Sequence, residues 1–292
     1  MTNATNEVRK YVVNVAGVRT SFVEAGDPSQ PLVVFLHGWL LAHSAYGDAT
    51  NALARRGFHI IAPDLPGFGG TDGLPDDHVD LESYGLWLAA FLREVGVHNA
   101  STIVGHSFGA AVGVHFAALH PKRCASLSLI CPVGGGDWTN SRPISQRPLW
   151  DWGMWLQADA LRPDHAIRVV PRVLADAIPN VLRHPFAMAQ TATLARSADV
   201  RGPLVEAVRD GVRVGVVVCD GDHVVPREAG ECLAVAAGVE ARVVSGTHAW
   251  PMADPKKFAD VIAEELAKLG QMPSNPSPVS AKRTKRPTQL SA

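Results

Sequence analysis

Several features that would narrow the chemistry are absent from this 292-residue chain. Excess charge is one: 27 Lys and Arg stand against 28 Asp and Glu, a formal net charge of −1. With no global field to draw a polyanion, nucleic-acid binding is not expected. No apolar run reaches the ~18 residues that a membrane helix needs, and the N-terminal MTNATNEVRK lacks the apolar core of a secretion signal. The four cysteines, Cys124, Cys131, Cys219 and Cys232, form no CxxC pair, and three sit in or beside apolar runs. That pattern predicts buried free thiols in a reducing compartment, so the expected location is the cytoplasm. There is no HExxH motif, and Asp76-Asp77-His78 reads as a solvated loop; neither a metal nor a cofactor is expected.

What is present points to one large globular domain with an insertion. Hydrophobic residues make up 47% and charged residues 19%, enough for a sizeable core. Residues 11–15 and 20–24 read as two antiparallel strands with Ala16-Gly17 near the turn. The run PLVVFL at 31–36 is continuously apolar, as befits a strand buried on both faces of a parallel sheet. Helices at about 45–56, 81–95 and 107–119 then alternate with strands at 59–62, 101–104 and 126–130. The alternation resumes with strands at 213–218 and 241–244 and helices at 227–237 and 255–269. The expected fold class is α/β, a doubly wound, mostly parallel sheet with helices on both sides.

Between about 132 and 212 no strand signal occurs, and the segment holds Trp138, Trp150, Trp152 and Trp155. It is too long for a loop. The expected division is a core of residues 1–132 and 213–270, an inserted helical cap of 133–212, and a disordered tail of 271–292. The tail is rich in Pro, Ser, Thr, Lys and Arg, and its cluster Lys282, Arg283, Lys285 and Arg286 reads as solvated.

The chemistry gathers around Gly105-His106-Ser107-Phe108-Gly109, which follows a strand and opens a helix. A serine on so sharp a turn needs small neighbours, and Gly105 and Gly109 supply them two residues to either side. The hydroxyl then stands at a helix N-terminus, where backbone N–H groups favour developing negative charge. Here the chain resembles the α/β-hydrolase family, serine-nucleophile (esterase or lipase-like) branch, over about residues 8–270.

The resemblance implies an order of nucleophile, acid and histidine at the ends of successive strands. By that implication Ser107 is the nucleophile. Asp222, in CDGDHVVP at 219–226, is the acid, and His248, in SGTHAWP at 245–251, is the general base. Asp220, two residues before Asp222, and Asp137, after the preceding core strand, remain alternatives for the acid. The family places Gly where Cys219 stands. Many relatives also have Gly directly before the histidine, where Thr247 stands here. In the family the His-Gly turn after the first parallel strand precedes an oxyanion donor, which assigns the backbone N–H groups of Trp39 and Phe108 to the oxyanion hole. His37 then bonds the loop rather than the substrate.

Trp39, His106 and Trp250 beside these motifs, and Trp138 and Trp155 in the cap, are the candidate substrate contacts. The implied reaction is hydrolysis of a small-molecule carboxylic ester through an acyl-enzyme. Two alternatives remain: a carbon–carbon bond hydrolase acting on a diketone, and a ligand receptor with residual turnover. The branches that place Asp at the nucleophile position do not match Ser107.

Overall fold

The structure, a computed structural model, describes residues 8–75, 79–99, 101–136 and 167–273, and the backbone of 288–289. Trp138, Trp150, Trp152, Trp155, Asp137, the Asp76-Asp77-His78 loop and the basic tail cluster lie outside the described residues. Six strands run mutually parallel in the order β8-β7-β6-β5-β3-β4. They are β3 (Leu32–Leu36), β4 (His59–Pro63), β5 (Ser101–His106), β6 (Cys124–Ile130), β7 (Arg213–Cys219) and β8 (Ala241–Val244). The hairpin of β1 (Arg9–Val15) and β2 (Val18–Ala25) continues the sheet antiparallel beyond β4.

The apolar runs behave as central strands because their residues face alternate layers. In β3, Val34 and Leu36 enter one core and Val33 and Phe35 the other; in β7, Val214, Val216 and Val218 oppose Val217 and Cys219. On the first face pack α2 (Leu81–Glu94) and α3 (Phe108–Leu119). On the second, α1 (Gly47–Ala54) meets the C-terminal helix Pro255–Lys268. This is the doubly wound α/β sheet that the alternation predicts. Asp80 caps α2 by accepting the Ser83 N–H at 2.7 Å, fixing where the helix begins.

Among the described residues between β6 and β7 are three helices, α4 (Val169–Arg183), α5 (Pro185–Ser197) and α6 (Arg201–Arg209). The described part of the segment holds no strand, only an isolated bridge between Gly135 and Asp199. α6 lies against α3 and against α7 (Arg227–Ala237), burying Leu204 and Ala207 in the first core. After β8 follow the short α8 (Trp250–Ala253) and then α9 (Pro255–Lys268).

The tail departs from expectation at one point. Thr288 and Gln289 form β9, paired antiparallel with Val12 and Tyr11 of β1. β1 is otherwise a sheet edge, and its open N–H and C=O groups accept even a two-residue partner of unfavourable composition.

Candidate active site

Because the strands are parallel and adjacent, the loops after β3, β5, β7 and β8 open on the same edge of the sheet, where open α/β sheets place their sites. Four sequence motifs meet there. Ser107 follows β5 with φ 53° and ψ −114°, a left-handed conformation rare for a side chain with a Cβ. Its N–H still bonds Ile130 O at 2.9 Å, so the strained residue is pinned to the sheet on one side and to α3 on the other. The flanking glycines cannot be enlarged. A Cβ on Gly105 would come within 2.6 Å of Ala110 Cα, and one on Gly109 within 2.6 Å of His37 O.

Asp222 and His248 are joined directly. His248 Nδ1 lies 2.7 Å from Asp222 Oδ2, and both side chains are buried. A carboxylate only accepts, so Nδ1 carries the proton and Nε2 is left with its lone pair. Asp222 Oδ1 accepts the N–H groups of Val224 at 3.0 Å and Val225 at 2.8 Å, which holds the carboxylate in one orientation. Asp220, the alternative acid, is exposed and accepts the Gly246 N–H at 3.1 Å, so it shapes the histidine loop instead of pairing with the imidazole.

The His-Gly turn after β3 lies against the serine. A Cβ on Gly38 would stand 3.5 Å from Ser107 Cβ and 3.0 Å from both His106 Nδ1 and Tyr46 Oη. His37 is buried and spans the loop: Nδ1–H donates to Gly38 O, and Nε2 accepts the Leu65 N–H, each at 2.8 Å. Burial lowers its pKa despite the opposing charge of Asp64, so it stays a neutral structural brace. Phe108 opens α3, where first-turn N–H groups have no carbonyl within the helix to receive them.

The proposed substrate contacts fare unevenly. The Trp39 indole N–H reaches Met188 O at 3.2 Å and Thr191 Oγ1 at 3.1 Å, tying the loop after β3 to α5. Trp250 is 2% exposed and packs on Phe258 at 5.5 Å between ring centroids, in the second core. It is not retained as a substrate contact. Nor is His106, whose two ring nitrogens are taken by Tyr46 Oη at 2.8 Å and His248 O at 3.0 Å.

The sequence assigns no chemistry to three residues at this end. Tyr46 is fully buried beside His106, and a buried phenol usually takes a hydrogen-bond partner. Asp64 accepts from His43 N at 2.8 Å, His43 Nδ1 at 2.6 Å and Gly70 N at 2.9 Å. Burial, the largest single influence, would raise its pKa, but the hydrogen bond and charge of His43, with His37 and the Gly70 N–H, together hold the carboxyl below its usual range. Cys131 directly follows β6, with its thiol 3.4 Å from Cys219 Sγ. Burial pushes that thiol well up, and the neighbouring Cys219 and Asp222 add to the effect. His106, Cys131 and His248 hold potential ligand atoms within 4.8 Å of one another. A cation bridging all three would have to compete with the hydrogen bonds already made by both imidazoles.

Comparison with known proteins bears on the family of the chain. The model of the alpha/beta hydrolase family matches residues 33–261. A "Putative non-heme haloperoxidase" of Mycobacterium phage D29 is 29% identical over 269 residues, 86% of this chain and 92% of that protein. Epoxide hydrolase A of Mycobacterium tuberculosis is 34% identical over 121 residues, 41% of this chain and 37% of that protein. Among solved structures, that of a membrane phospholipase A superposes with a TM-score of 0.74 at 18% identity, over 92% of this chain and 88% of the other. The chain belongs to the alpha/beta hydrolase family.

Proposed function

We propose that the protein is a serine hydrolase that cleaves a carboxylic ester through an acyl-enzyme on Ser107. The observation that carries this reading is the buried 2.7 Å bond between His248 and Asp222 at the strand edge that also bears the strained Ser107. His248 Nε2 takes the hydroxyl proton as Ser107 attacks the carbonyl carbon, while Asp222 holds the tautomer and stabilises the imidazolium. The anionic oxygen of the tetrahedral intermediate is received by the N–H groups of Trp39 and Phe108. Donors of this kind are worth about 3–4 kcal/mol each when aimed at the transition state. The leaving alcohol takes the proton, and water activated by His248 then releases the acid.

Helices α4, α5 and α6 of the inserted segment act as a cap beside this site, with α6 as its anchor in the core. An apolar pocket gains about 0.8 kcal/mol per buried CH₂, about fourfold in kcat/KM per methylene. The substrate is a small-molecule ester, and the buried free thiols Cys124, Cys131 and Cys219 favour a cytoplasmic setting.

The phage relative supports a second reading, in which hydrogen peroxide replaces water in deacylation and releases a peracid. The epoxide hydrolase match carries less weight, because Ser107 stands where that branch uses Asp.

A panel of p-nitrophenyl esters tests the proposal. kcat/KM should rise from acetyl through butyryl to hexanoyl. A preference for acetyl would place a small or polar pocket under the cap. One near-stoichiometric burst of product followed by stalling would mark a receptor instead.

A further inference from the structure

We propose that Tyr46 and His106 form a positioning relay that fixes the loop carrying the oxyanion donor, at Gly38, against the main chain of His248. The inference rests on the acyl-transfer reading above and deepens it. Four groups stand in an unbroken chain. Gly38 N–H donates to Tyr46 Oη at 3.2 Å, Tyr46 Oη lies 2.8 Å from His106 Nδ1, and His106 Nε2 lies 3.0 Å from the His248 carbonyl oxygen.

Only one assignment of protons satisfies this chain. A carbonyl oxygen cannot donate, so His106 Nε2 must carry the hydrogen that faces His248 O. A neutral imidazole then has Nδ1 as acceptor, and the one proton on Tyr46 Oη must point to it. The phenol oxygen keeps a lone pair for the Gly38 N–H, and every polar atom is used. Burial holds His106 neutral: its pKa lies well below the ordinary 6.5, and a charge on His248 lowers it further. Burial also raises the Tyr46 phenol. Neither group therefore changes its protonation while His248 cycles.

The consequence is positional. His106 and His248 rings lie 4.7 Å apart, centroid to centroid, and the relay spans from the loop after β3 to the loop after β8 across the residue beside Ser107. It sets the distance between the oxyanion donor of Trp39 and the imidazole. Phe35, 5.0 Å from Tyr46 between ring centroids, helps hold the phenol in place from the sheet. The residue between Gly105 and Ser107 thus acts as a strut, and Tyr46 is its second half.

Two measurements test the relay. In wild-type protein with ¹⁵N-labelled imidazoles, the His106 resonances, assigned by their loss in His106→Gln, should show Nε2–H and an unprotonated Nδ1. That pattern should persist below pH 6.5 for as long as the protein stays folded. In Tyr46→Phe, which keeps the ring, kcat on p-nitrophenyl butyrate should fall about tenfold to a hundredfold. KM should move less than about threefold, a split that a general loosening of the fold would not produce. The Tyr46→Phe/His106→Gln pair should lose no more than its worse single change, since the chain is broken only once.

A His106 that titrates near 6.5 or carries its proton on Nδ1 overturns the relay, and so does a Tyr46→Phe enzyme with wild-type kcat. Wild-type protein that shows the tautomer but neither turns over esters nor accepts an organophosphonate overturns the acyl-transfer reading, and the positioning role with it.

Discussion

Ser107 holds an uncommon backbone conformation between two glycines that have no room for a side chain. The sharp turn is legible from two glycines and a strand–helix boundary, and Asp222 and His248 from the family resemblance that places them after the last two parallel strands, β7 and β8. Choosing between Asp222 and Asp220 by register alone is harder, as they lie two residues apart. The hydrogen bonds separate them, since one carboxylate is buried on the imidazole and the other is exposed on a backbone N–H. Asp222→Asn should therefore lower kcat by ~10³–10⁴, because an amide can stabilise the wrong tautomer. Asp220→Asn should cost far less. Steady-state kinetics on one p-nitrophenyl ester checks both. Tyr46 escapes sequence reading for a physical reason: a tyrosine in a helical stretch carries no mark of the histidine that it meets 60 residues later.

At the level of elements, continuous apolar runs reveal the central strands because both faces are buried. Alternating strand and helix signals then give the doubly wound order. Docking of α4 on the loop after β3 is not legible, since its contacts join residues more than a hundred positions apart. Asp176 accepts from Ala42 N at 2.9 Å, Ala45 N at 3.1 Å and Ser44 Oγ at 2.6 Å. One turn on, Asn180 donates to Leu40 O at 2.9 Å and accepts the Gly69 N–H at 2.7 Å. These two side chains, four residues apart on one helix face, hold the loop that follows the candidate oxyanion donor Trp39. Asp176→Ala removes one carboxylate and orphans two buried N–H groups, a loss of about 2–3 kcal/mol. The thermal midpoint should fall by roughly 5–10 °C, and Asp176→Asn, which keeps an acceptor, should fall less. Differential scanning fluorimetry of the two variants separates these outcomes.

Across the whole molecule, two layers of helices seal a sheet whose working edge is rich in buried histidine. His37 and His106 both have pKa values lowered from 6.5 by burial. Below that value the unfolded chain binds protons that the folded one refuses, so acid favours unfolding. Their contribution to stability is complete above about pH 6.5 and is lost as pH falls, by up to ~1.4 kcal/mol per pH unit for each histidine. Urea midpoints should therefore decline steeply between pH 7 and 5.5, and His106→Gln should flatten the decline. An unchanged midpoint over that range would mean that neither imidazole is held neutral by the fold.

No helix among the described residues is long and apolar enough to cross a membrane. The proposed acyl-enzyme on Ser107 is open to direct measurement. Intact-mass spectrometry after treatment with a fluorophosphonate should show a single adduct, mapped by peptide digestion to Ser107. The folded Ser107→Ala protein should take none. An adduct that survives in folded Ser107→Ala, or a wild-type protein that turns over esters with Ser107 unlabelled, would contradict the assignment of Ser107 as nucleophile.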